Sequence, residues 1–208
     1  MLTLTQAHAL GAHLAGLHRT TIVEPDDAPA RVARAILSAL GRGVPALASL
    51  VADLEVRASR VSVALPTPGG SLVILSPAAV ADPLRYAVTV AHELVHAEQR
   101  DAAGAVQVAA DYLAAPELRA RAEADAYACG LWVAYLLTGV LPTVDAAVQA
   151  LSSDTYHLAP DEVDLGRGVL LSHVETIAQG LAPPLRVAVE VLAWLRANAP
   201  EAIVGRAL

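Results

Sequence analysis

The chain contains no phenylalanine, a single cysteine and only 3% aromatic residues, although 55% of its residues are apolar. Its core cannot be assembled from large rings. It must come from Ala, Leu and Val, a mixture that favours closely packed helices, and a mostly helical protein is expected. The lone cysteine, Cys129, excludes an internal disulfide framework and fits a reducing cytoplasm. Flanked by Ala128, Gly130 and Leu131, it reads as a buried structural thiol. Positive charge is scarce as well. The 14 basic and 21 acidic residues leave a net charge of −7, without the field that non-specific nucleic-acid binding requires, so nucleic acid is not an expected partner.

An uninterrupted membrane span is also wanting. Residues 126–144 carry no formal charge and approach the required length, but Gly139 and Pro142 break the run, and its start continues a polar helix bearing Arg119, Arg121 and Asp125. A buried helix is the expectation, with no membrane partner. The first residues, where Gln6, His8, His13 and His18 are spread through an Ala/Leu helix, lack the basic start and compact apolar run of a signal peptide. A cytoplasmic location follows as an expectation.

What the sequence does hold is regular punctuation. At 208 residues it can bury one good core with helical flanks. Residues 4–18 read as a helix, and a second starts after Asp27 with Pro29 in its first turn, carries Val32, Ile36 and Leu40, and stops at Gly41 to Gly43. A third covers roughly 45–56. Val61, Val63 and Leu65 then alternate with Ser62 and Ala64, and after Pro66 to Gly70 comes the run Leu72 to Leu75, which together predict a β-hairpin. Asp82 and Pro83 form an N-cap followed by an N1 proline, starting a helix to about Asp101. Further helices are expected from Pro116 to about Leu137, and near 143–152, 166–179 and 183–198. Three segments result: an N-terminal helical segment over 1–58, a core over 59–138, and a C-terminal helical segment over 139–208 packed on it.

Residues 92–96 read His-Glu-Leu-Val-His. Two imidazoles four residues apart lie on one helical face and can chelate one ion, for which zinc is the natural occupant. With seven histidines in the chain, the pattern would arise in roughly one such random sequence in a hundred, so a surface pair is the weaker reading. If Leu84, Val88, Ala91 and Val95 form the buried stripe, both histidines fall along its edge and Glu93 falls beyond them, toward the polar side. A carboxylate there can take a proton from water and pass it to a leaving amine. A third ligand should come from another helix. Glu123 lies at the edge of a stripe made by Leu118, Ala122, Cys129, Val133 and Leu136, in line with Tyr127 and Gly130, while Asp125 and Glu117 are competing carboxylates.

These features resemble a compact gluzincin-type zincin, in which HExxH on one helix is completed by a glutamate on the next. The stretch Glu123-Ala-Asp-Ala-Tyr-Ala128 is similar to the Glu-Ala-x-x-aromatic-Ala pattern of small minigluzincins and of bacterial regulatory metallopeptidases of the ImmA/IrrE type. The resemblance covers roughly residues 60–137 and implies an α+β, mostly α-helical, zincin-like fold, with a small hairpin or sheet beside the motif helix and additional flanking helices. It also implies Glu123 as the third zinc ligand. Larger gluzincins carry an aspartate four residues after that glutamate, where this chain has Tyr127. A third histidine soon after the motif, as in metzincins, does not occur. The implied activity is zinc-dependent hydrolysis of peptide bonds with Glu93 as general base, acting on a protein or peptide.

Such folds place a strand beside the motif helix to receive substrate, for which Leu72 to Leu75 is the candidate. Tyr156, His157 or His173 could assist the oxyanion. His8, His13 and His18, each rotated about 140° from the last, should be solvent-facing bystanders. The alternative function is a non-catalytic, zinc-stabilised regulatory or protein-binding module, which would have no need of Glu93. The many apolar helices make a homo-oligomer plausible.

Overall fold

A computed structural model describes residues 1–25, 27, 62–67, 70–104, 107, 111, 114–154 and 156–207. The helices expected after Asp27 and at 45–56 lie outside these residues. Helix α1, Leu4–Leu17, is started by a reciprocal cap. The Gln6 backbone N–H donates to the Thr3 hydroxyl at 3.2 Å and the Thr3 N–H donates to the Gln6 side chain at 2.9 Å. It buries Ala7, Leu10, Leu14 and Ala15.

A strand the sequence reading did not anticipate follows, β1, Thr20–Val23. The expected hairpin is present as β2, Val63–Thr67, antiparallel to β3, Gly70–Ile74. Because β1 pairs parallel with β3, the sheet order is β1-β3-β2. Gly70 is required where β1 begins, since a Cβ there would overlap the Arg19 carbonyl oxygen. This order corrects the substrate-strand expectation. The run Leu72 to Leu75 falls mainly on β3, which is bonded on both sides, and among the described residues β2 is an edge.

Helix α2, Pro83–Ala103, starts as its signals predict, with the Arg85 N–H donating to Asp82 at 2.9 Å. Helix α3 spans Pro116–Thr138 and stops at Gly139, whose left-handed φ of 71° suits glycine. Helices α4, Asp145–Leu151, α5, Pro160–Ala178, and α6, Arg186–Asn198, complete the chain. Here α5 begins earlier than its apolar periodicity suggests, at a Pro160 followed by Asp161 and Glu162, with the Glu162 carboxylate accepting the Ala159 N–H.

The layers explain why α3 is buried on most sides. One core joins α1, the sheet, α2, α3 and α6, and a second joins α3 to α4 and α5. So α3 presents Ala126, Cys129 and Val133 to the first and Ala124 and Ala128 to the second, whereas Leu118, expected in a single stripe, is 47% exposed. Gly130 sits against Val88, which lets α2 and α3 approach closely. Among the described residues no helix is long and apolar enough to cross a membrane.

Candidate metal centre

The α2–α3 contact brings three donors together. His92 and His96, one turn apart on α2, face Glu123 of α3, and the nitrogen and oxygen atoms concerned all lie within 4.8 Å of one another. His92 Nε2 is 3.6 Å from one carboxylate oxygen of Glu123, and His96 Nε2 is 3.5 Å from the other. The imidazole rings meet edge to face with centroids 5.2 Å apart. Among the described residues these three form a group that could hold a metal ion. The competing carboxylates are placed otherwise: Asp125 bonds His173, and Glu117 is exposed.

Burial sets the electrostatics. Glu123 is 3% exposed. Desolvation alone would raise its pKa, but the positive character of His96 and His92 outweighs burial and holds the carboxyl well below the usual range. For His96 the same burial would lower the pKa, and the Glu123 charge reverses this, raising it to about 9. Of the two imidazoles, it is His96 that this environment favours in the protonated form. That proton must leave before His96 can bind a metal.

Glu93 corrects one expectation. It does not face the polar side but is 5% exposed, because β2 covers that flank of α2 and the Ala64 backbone N–H donates to its carboxylate. Burial raises its pKa, against the lowering influence of His92 and His96. In an antiparallel ladder alternate residues point their backbone groups to one side, so Ala64 and Pro66 both face away from β3. Pro66, lacking an N–H, thus costs the sheet no bond. Glu93 lies at the edge of β2.

Of the three residues considered for the oxyanion, Tyr156 reaches a group that touches a ligand. Its hydroxyl is 3.0 Å from that of Tyr127, whose ring packs edge-on against His92 at 4.6 Å. The Tyr127 pKa is pushed up to about 12, chiefly by burial. His173 bonds Asp125 at 2.9 Å, about 200° around α3 from Glu123. His157 is exposed, and its carbonyl accepts from Arg119.

Three contacts escaped the sequence reading. Gln99 joins His96 to α3: its Oε1 is 3.0 Å from His96 Nδ1, and its Nε2 donates to the Ala122 carbonyl at 3.0 Å. Its position three residues after His96, on the same helical face, was a usable signal. The Ala64 N–H carried none. His18 was expected in solvent, yet it is 1% exposed and its Nε2 lies 2.8 Å from Glu190 of α6. It caps the end of α1, where the regular helical rotation ceases, so the face argument no longer applies. The chain matches no family model, no curated protein and no solved structure.

Proposed function

We propose that this chain is a zinc-dependent peptidase of the compact gluzincin kind, with His92, His96 and Glu123 as ligands and Glu93 as general base. The observation that carries the reading is the donor spacing of 3.6 and 3.5 Å. Zinc bonds of 2.0–2.1 Å in a tetrahedral arrangement separate neighbouring ligand atoms by about 3.3 Å. Each imidazole nitrogen already stands close to that separation from a Glu123 oxygen. Two imidazoles and a carboxylate suit zinc and leave a fourth position for water, the composition of a catalytic rather than a structural site.

Bound zinc would supply Lewis acidity and lower the pKa of a water molecule to about 7. The chain's own groups do the rest. Glu93, with a pKa raised by burial, accepts a proton near neutral pH more readily than an exposed carboxylate and can return it to the leaving amine. The Ala64 N–H holds that carboxylate at the edge of β2, where an extended peptide could add as a further strand with its backbone beside Glu93. Tyr156, steadied by Tyr127, is the donor best placed to meet the oxyanion.

Glu93→Gln tests the reading because it keeps size and hydrogen bonding but cannot accept a proton. Zinc content should match wild type, while cleavage of an unstructured protein such as casein should fall by at least about a hundredfold. Equal cleavage by both proteins would remove Glu93 from the mechanism. If wild type, loaded with zinc, cleaves nothing across a broad substrate panel, the zinc-stabilised module becomes the better reading.

A further inference from the structure

The two proposed histidine ligands are held by different means. His92 is packed against the ring of Tyr127. His96 is hydrogen-bonded through its Nδ1 to Gln99. The carboxamide of Gln99 makes two contacts, and the second fixes the first. A backbone carbonyl only accepts, so the end of Gln99 that meets the Ala122 carbonyl must be its NH2, and the end that meets His96 must be the oxygen. An oxygen there requires a proton on Nδ1. The Nε2 atom, on the far side of the ring, is then the one left to face Glu123, and it is Nε2 that lies 3.5 Å from that carboxylate. Ala122 is the neighbour of Glu123 in the chain. One amide therefore addresses a ligand on α2 and the backbone beside a ligand on α3.

We propose that Gln99 is a positioning residue, which sets His96 as an Nδ1-protonated, Nε2-coordinating ligand and fixes the spacing of the two ligand-bearing helices. The inference rests on the zinc reading above. Its two halves separate by chemistry. Glutamate at this position still accepts from Nδ1–H but has no N–H for the Ala122 carbonyl, whereas leucine offers neither contact at similar size. If orientation of His96 is what Gln99 chiefly provides, the acidic variant should retain it.

The experiment measures zinc affinity by competition with a chromophoric chelator for wild type, Gln99→Leu and Gln99→Glu, with circular dichroism and thermal unfolding of each zinc-free protein alongside. Partners of this kind typically change metal affinity by about 10–100-fold. Gln99→Leu should lose that much at an unchanged helical signal, and Gln99→Glu should recover to within about threefold of wild type, although its zinc-free form melts lower. Cobalt-substituted Gln99→Leu should show altered visible absorption, which a purely structural tie between helices would not cause. Should Gln99→Leu fail to fold, the comparison of Gln99→Glu with wild type decides alone. Wild-type affinity in Gln99→Leu, or loss in Gln99→Glu as large as in Gln99→Leu, overturns the role given to Gln99 while leaving the zinc reading intact. A wild-type protein that takes up no zinc overturns both.

Discussion

His18 and Glu190 meet at 2.8 Å, whereas His92 and His96 stand 3.6 and 3.5 Å from the carboxylate of Glu123. Both groupings are largely covered and both join distant parts of the chain. The first is a completed hydrogen bond between the end of α1 and α6, and Glu190 also accepts from Arg186 at 2.6 Å. It needs nothing further. The second stops short of good hydrogen-bond length and gathers three donors within 4.8 Å of one another. The difference teaches that a histidine buried beside a glutamate can be a completed structural pair, while three donors gathered within 4.8 Å could hold a metal ion.

The sharpest way to break this contrast is to truncate one member of each grouping. His96→Ala or Glu123→Ala should weaken zinc binding by at least about a hundredfold, since each ligand carries a substantial share of a binding free energy that runs to roughly 10 kcal/mol or more. His18→Ala should leave zinc affinity as it is. Chelator competition decides: full affinity in His96→Ala, or lost affinity in His18→Ala, would erase the distinction.

A smaller effect concerns protons. Because Glu123 raises the His96 pKa to about 9, the zinc-free cluster holds a proton near pH 8 that an ordinary imidazole would already have lost. Zinc uptake at pH 8 should release about one proton, read by calorimetry in buffers of different ionisation enthalpy. Stability depends on pH through His96 in the zinc-free form and hardly at all in the zinc form. With its folded pKa above the ordinary 6.5, His96 stabilises the zinc-free protein fully below pH 6.5, and this is lost as pH rises through about 9. Glu123, depressed below its ordinary 4.5, adds stability above that pH which is lost on acidification. The zinc-free melting temperature should fall between pH 7 and 9.5, whereas that of the zinc-saturated protein should stay nearly level above about pH 7.5, because its zinc-bound and unfolded states both lack the His96 proton. Parallel trends would contradict the coupling.

Next comes stability at the other grouping. His18→Ala leaves the partly covered Glu190 without its imidazole partner and should cost about 1–3 kcal/mol in thermal unfolding. No change would show the pair to be idle. The smallest effects are expected at Asp125 and Cys129. Asp125→Ala should spare zinc affinity, because its partner is His173. Cys129, whose thiol burial pushes upward in pKa, should resist alkylation until denaturant is added, as mass spectrometry would show.

Much of this site could be read from sequence because its determinants are local. The 92–96 spacing fixes two imidazoles on one face, and Asp82 with Pro83 fixes where that helix starts. Glu123 followed from a helical edge and a family resemblance, and the structure brings it to the imidazoles. What escaped depends on pairing across long stretches of chain. Thr20–Val23 is short and becomes a strand only beside Gly70–Ile74. Glu93 is met by the Ala64 N–H of β2, and His18 by Glu190 where α6 returns to the end of α1. Periodicity within one helix carries none of that information.

The central claim is that His92, His96 and Glu123 hold zinc, and X-ray absorption at the zinc edge of the purified, zinc-reconstituted protein tests it most directly. The account predicts about one zinc per chain, with a first shell of light nitrogen and oxygen atoms at about 2.0–2.1 Å, two of them with the outer-shell pattern of imidazole. Failure to retain zinc, or a sulfur shell near 2.3 Å, would contradict it.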